Sequence, residues 1–210
     1  MLIDLRKMLA VTIKIGLIAV LCSIQVSAKN KADKFSIDFK WQDSISQKTK
    51  KNILDYFLLL PSTYLDCEMI QNGFPTLDDR KDLCQTIDLK NGYIKFFRNA
   101  EIVLFRNRKD SIDFIAIQIG KCGAGSTCGG INEILEYLPE QKKWQKRDDL
   151  LPDGYSHKQL YEKYIDKDIC PYFVLPQYGF ILTVKDENSG KNISTLKWNG
   201  SRFTVVQNDK

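Results

Sequence analysis

Residues 178–207 read YGFILTVKDENSGKNISTLKWNGSRFTVVQ, and this stretch decides the fold. Runs rich in β-branched and aromatic residues, Tyr178–Lys185, Asn192–Trp198 and Arg202–Gln207, are separated by Asp186–Lys191 and by Asn199-Gly200. Asn and Gly accept positive φ, so both connections are hairpin signals. With Tyr172–Pro176 ahead of them, the runs predict one antiparallel meander.

Upstream the pattern recurs. Gly92–Arg98, Glu101–Arg106 and Ile112–Ile119 follow at turn-length spacing. Beyond a glycine- and cysteine-rich loop come Ile131–Leu138 and Lys143–Arg147, with Leu138-Pro139-Glu140-Gln141 as their turn. Lys34–Trp41 also alternates and reads as a strand. Two helices are expected. Ser44 with Gln47 makes a capping-box pattern ahead of Ile53, Tyr56, Phe57 and Leu60, and Pro61 stops the helix. Ser156 with Gln159 repeats the box ahead of Leu160, Tyr161, Tyr164 and Ile165. The fold expected is mainly β, of the α+β kind: two antiparallel β-meanders with two short packing helices. Ser62–Asn91 reads as an irregular surface excursion.

The phrase Leu196-Lys197-Trp198-Asn199-Gly200-Ser201-Arg202-Phe203 resembles the last hairpin of β-rich secreted bacterial domains, many of them uncharacterised. The resemblance covers only the second meander. It implies a β fold and an exported compartment, and it carries over no catalytic residue.

The first 28 residues read as a secretory signal peptide. Arg6, Lys7 and Lys14 are basic, Ile15–Val26 is an apolar run of about a dozen residues, and Val26-Ser27-Ala28 is a cleavage site. The run is shorter than the roughly 20 residues a spanning helix needs, so no stable membrane span is expected after cleavage. Residues 29–210 are then a single exported β-rich domain, periplasmic or secreted, long enough to fold on its own core. Of the formal charge of +5, the leading segment holds three basic residues and Asp4, which leaves +3. Acids and bases interleave without a basic stripe, so nucleic acid is not expected as a partner. A protein or glycan of the envelope is.

Five of the six cysteines follow the signal. In an oxidising compartment they should mostly be bridged. Nearest-neighbour pairing gives Cys122–Cys128 and Cys67–Cys84, each worth on the order of 2–3 kcal/mol in the loop-entropy picture, with Cys170 left over. The loop Gly120–Gly130, GKCGAGSTCGG, lacks the order of a phosphate-binding loop, the spacing of a serine elbow and the usual zinc spacing. No cofactor or metal is expected. Asp186, Asn188 and Gly190 have a calcium-loop flavour but too few oxygens, so a plain turn is expected. One catalytic alternative stands: Cys128 as nucleophile, with Gly129 and Gly130 amides lining an oxyanion pocket and His157, the only histidine, as base. The primary expectation is an exported non-catalytic binding module, an envelope interaction protein or an inhibitor of another secreted protein. Its binding face is expected in the tyrosine cluster Tyr155, Tyr161, Tyr164 and Tyr172.

Overall fold

The computed structural model describes residues 41–65, 76–97, 100–107, 110–120 and 130–206. From Ser44 onward, two antiparallel sheets carry the fold. Strands β1 (Cys84–Asp88), β2 (Tyr93–Phe96), β3 (Ala100–Arg106), β4 (Asp113–Ile119), β5 (Ile131–Leu138) and β6 (Lys143–Lys146) form a six-stranded sheet in simple sequence order. Strands β7 (Pro171–Val174), β8 (Ile181–Asp186), β9 (Asn192–Trp198) and β10 (Phe203–Val205) form the second, again as neighbours in sequence. Both expected meanders are present.

The two sheets bury a shared apolar core. Val103, Phe105, Phe114, Ala116 and Ile134 from the first meet Phe173, Leu182, Val184, Leu196, Trp198 and Phe203 from the second. Phe105, Trp198 and Phe203 sit with ring centroids 5.0–5.7 Å apart, a geometry that adds about 0.5–1.5 kcal/mol per pair beyond burial. A buried polar contact crosses between the sheets: Asn132 Oδ1 accepts from the Phe173 amide at 2.8 Å, and Asn132 is buried. It satisfies an edge-strand donor that has no neighbouring strand.

The opposite face of the six-stranded sheet carries α1 (Ile53–Leu59). Phe57 meets Phe96 edge-on at 5.1 Å, and the Trp144 indole donates to the Leu59 carbonyl at 2.9 Å. The helix begins later than its sequence suggested. Residues 41–46 are helical, the chain then breaks, and the capping box is made by Asn52 and Asp55, not Ser44 and Gln47. Asp55 also pairs with Lys48 at 2.6 Å, which adds a charge to the winning cap. At the other end the buried Arg80 Nη1 donates to the Leu58 and Leu60 carbonyls at 2.7 and 2.6 Å, satisfying groups the helix leaves open. Ser46 Oγ and Tyr137 Oη are hydrogen-bonded at 2.8 Å beside it.

Two more expectations are corrected. Ser62–Asn91 is not simply irregular: among its described residues are α2 (Leu77–Asp82), capped by Thr76 and Asp79, and edge strand β1. Of Lys34–Trp41, read as a strand, only Trp41 is described, and it is helical. The Ser156–Gln159 capping box does form, opening α3 (His157–Tyr164). Leu160 of α3 enters the inter-sheet core. Among the described residues, no helix is long and apolar enough to cross a membrane.

Candidate functional site

Of the described residues singled out from sequence, His157, Tyr161 and Tyr164 lie on α3, Tyr155 just ahead of it and Tyr172 on β7. Tyr155 and Tyr164 pack partly against the core. The Tyr155 hydroxyl is hydrogen-bonded to Ser194 Oγ at 2.9 Å, and Lys163 lies over both rings at 5.9 and 5.3 Å. Tyr161 is exposed. Tyr172 sits on β7 opposite Lys185, next to the inward-facing Phe173 and so on the outer side of its sheet.

His157 is the first residue of α3 and is half-buried. Burial pushes its pKa below the ordinary imidazole value, Glu133 and Asp148 pull it back up, and Lys146 lowers it further. Glu133 is itself buried and held by the Tyr64 hydroxyl at 2.7 Å and by Lys146. Cys122, Cys128 and Cys67 lie outside the described residues, as does residue 129. The described Cys84 carries a free thiol, so the expected Cys67–Cys84 bridge is not made. Its sulfur lies at the start of β1 against the Arg80 carbonyl at 3.9 Å, and burial raises its pKa to about 11. Cys170, expected as the leftover, is instead disulfide-bonded.

The turn Asp186–Lys191 is organised from within. Asp186 accepts from the Cys170, Asn188 and Ser189 amides at 3.0, 3.2 and 3.1 Å and from the Ser189 hydroxyl. Those donors occupy the oxygens a cation would need and hold the carboxyl below its usual range.

A different place stands out. A groove of about 720 Å³ opens where the β1–β2 turn faces the entry to β8 and the β9–β10 turn. Leu89, Lys90, Asn91 and Gly92 form one wall, Gly179, Phe180, Trp198, Asn199 and Gly200 another, and Leu104, Arg106 and Lys50 close it. Leu89 and Phe180 are each about half exposed, at 53% and 51%. Ile87, Tyr178 and Ile181, also exposed, lie within two residues of them, so five of the seven exposed large apolar residues among the described ones belong to these two segments. The segments touch: Gln177 Nε2 donates to Asp88 Oδ2 at 3.4 Å.

Local chemistry explains the shape. Asp88 accepts from the Asn91 amide and side chain at 3.1 and 2.7 Å, folding the turn so that Leu89 stays outside. Gly92 has φ +67°, and a Cβ there would stand 3.0 Å from Leu104 Cβ, so any other residue is strained in backbone and crowded against β3. The Trp198 indole is anchored to the Arg106 carbonyl at 3.3 Å. The signal in the sequence was a leucine inside a polar turn cluster, DLKNG, and two aromatics flanking a glycine, YGF.

No family model matches the chain. No curated protein matches it. Among solved structures it is similar to a domain of an uncharacterized protein from Porphyromonas gingivalis W83, with a TM-score of 0.43 at 14% identity, covering 76% of this chain and 100% of that one.

Proposed function

We propose that the protein is an exported binding module without chemistry of its own, and that the groove between the β1–β2 turn and the Tyr178–Ile181 segment recognises a protein or glycan of the bacterial envelope or exterior. The observation that carries this reading is the pair of exposed apolar side chains, Leu89 and Phe180, that line one groove. Two large apolar side chains left half exposed on facing walls of one groove, Leu89 and Phe180, are what a recognition surface has and an ordinary solvated face lacks. A groove-directed inhibitor of another secreted protein is one form of the same function. Export rests on the leading segment Met1–Ala28. Mass analysis of the exported product should find Lys29 at its N-terminus, and an intact Met1 form confined to the cytosol would contradict export.

The groove is tested by capture from an envelope extract with the mature chain and with a Leu89→Ala/Phe180→Ala double variant. The same partner should be retained by the first and lost by the second. Retention by both would remove the groove from the function.

A second reading has one observation in its favour. His157 lies within electrostatic reach of the buried Glu133 carboxylate, whose oxygens are hydrogen-bonded to Tyr64 and Lys146. In that reading Cys128 is the nucleophile of a secreted hydrolase. Covalent labelling of Cys128 by an acyl-type probe, abolished in His157→Ala, would support it; an unlabelled Cys128 would end it.

A further inference from the structure

The charges around the groove narrow the partner. Three cations line it, Lys50, Lys90 and Arg106, and no carboxylate is among its described lining residues. Lys50 and Lys90 are exposed and form no ion pair among the described residues. Arg106 is shared: its Nε stands 3.9 Å from Asp113 Oδ1 and its Nη2 donates to the Lys51 carbonyl at 3.4 Å. The nearest acid in sequence, Asp88, is taken up by Asn91 and Gln177. The charged side chains that line the groove are therefore all cationic, while Asp88 and Asp113 stand behind its walls and keep their charge engaged there.

We infer that the groove takes an acidic segment of a partner protein, with one or two apolar side chains seated against Leu89 and Phe180 and carboxylates reaching Lys50 and Lys90. This rests on the binding reading above and goes beyond it by naming the partner's chemistry. A neutral glycan would leave the cations without counter-charge. An acidic peptide uses both features of the groove at once. Charge complementarity sets encounter rate and rejects wrong partners, while the apolar contacts hold the complex.

The rest of the groove suits an extended segment. Gly92, Gly179 and Gly200 put three stretches of side-chain-free backbone on its walls, and Asn91 Oδ1 and Asn199 Nδ2 keep hydrogen-bonding capacity beside them. These can meet the backbone polar groups of a bound chain, which need partners once desolvated. The wall is also held in place, since the Gly92 carbonyl accepts from the Leu104 amide at 2.8 Å.

The test is selection of 12-residue peptides from a random displayed library on the mature chain. Peptides combining Asp or Glu with Leu, Phe or Trp should be enriched. Their affinity should fall about tenfold in Lys50→Gln/Lys90→Gln and by a similar factor for the wild type between about 50 and 500 mM salt, as for an exposed charge contact. Both lysines are at the surface, and the salt series needs no variant, so a folding defect would not obscure the answer. Enrichment of neutral or basic peptides, salt-independent affinity, or no enrichment would overturn the inference. Neutral envelope oligosaccharides that bind the wild type and Lys50→Gln/Lys90→Gln alike, but not Leu89→Ala/Phe180→Ala, would overturn it while leaving the groove as the binding site.

Discussion

Two glycines offer a controlled test of how the groove wall is built. Gly92 and Gly190 have nearly the same backbone, φ +67° and +69°. They differ in surroundings: a Cβ at Gly92 would lie 3.0 Å from Leu104 Cβ, whereas at Gly190 it would meet nothing within 4 Å. Alanine in the left-handed region costs about 1–2 kcal/mol, of which about 0.4–1 kcal/mol is offset by the stiffer unfolded chain. Gly190→Ala should therefore destabilise by about 0.5–1 kcal/mol. Gly92→Ala adds an overpacking cost of about 1–3 kcal/mol. With an m-value of about 2 kcal/mol/M, the urea midpoint should drop by under about 0.5 M for Gly190→Ala and by about 1–2 M for Gly92→Ala. Adding Leu104→Ala should not relieve the second variant, because the obstructing atom is the Leu104 Cβ that alanine keeps. Tryptophan fluorescence in a urea series reads all three. Equal midpoints for the two glycine variants would refute the claim that the turn is locked against β3.

Other outcomes follow from buried polar and titrating groups. Asn132→Ala leaves the Phe173 amide without its partner between the sheets, so stability should fall by about 1–3 kcal/mol and exchange of that amide, followed by NMR, should accelerate; unchanged exchange would contradict the bridge. His157 has a lowered folded pKa, so the unfolded chain binds more protons in the window just below the ordinary imidazole value. Stability should fall as pH drops through that window, and His157→Gln should show less of this loss in urea midpoints at pH 7.5 and 5.5. Cys84, with its pKa pushed up to about 11, should alkylate on the order of 100-fold more slowly at pH 8 than an ordinary thiol. It should react at the ordinary rate in urea.

The meanders were readable because turn chemistry and strand composition agreed over Tyr93–Lys146 and Pro171–Val205. Even the carboxylates of β5 gave no false signal, since Glu133 and Glu136 are answered by Lys146 and Arg147 on and just after the next strand. Strand β1 was hidden because it is an edge: Gln85, Thr86 and Ile87 are all exposed, so no alternation marks them. The start of α1 was misplaced because Ser44/Gln47 and Asn52/Asp55 are both plausible caps. Packing of Ile53 and Phe57 on the sheet chose the second. The tyrosines were singled out for their hydroxyls, but Tyr155 spends its own on Ser194 and Tyr164 is packed partly against the core. The groove could not be read along the chain, because Leu89 and Phe180 are 91 residues apart and only the pairing of two sheets brings them to one opening.

The most direct measurement is the affinity of the captured envelope partner for the mature protein and for Leu89→Ala/Phe180→Ala, by calorimetry at low salt. Each truncated side chain would remove about 1–2 kcal/mol of apolar contact, so the double variant should bind about 100-fold more weakly while keeping its unfolding midpoint. Affinity within twofold of the wild type, in a folded double variant, would contradict the assignment of the groove as the recognition surface.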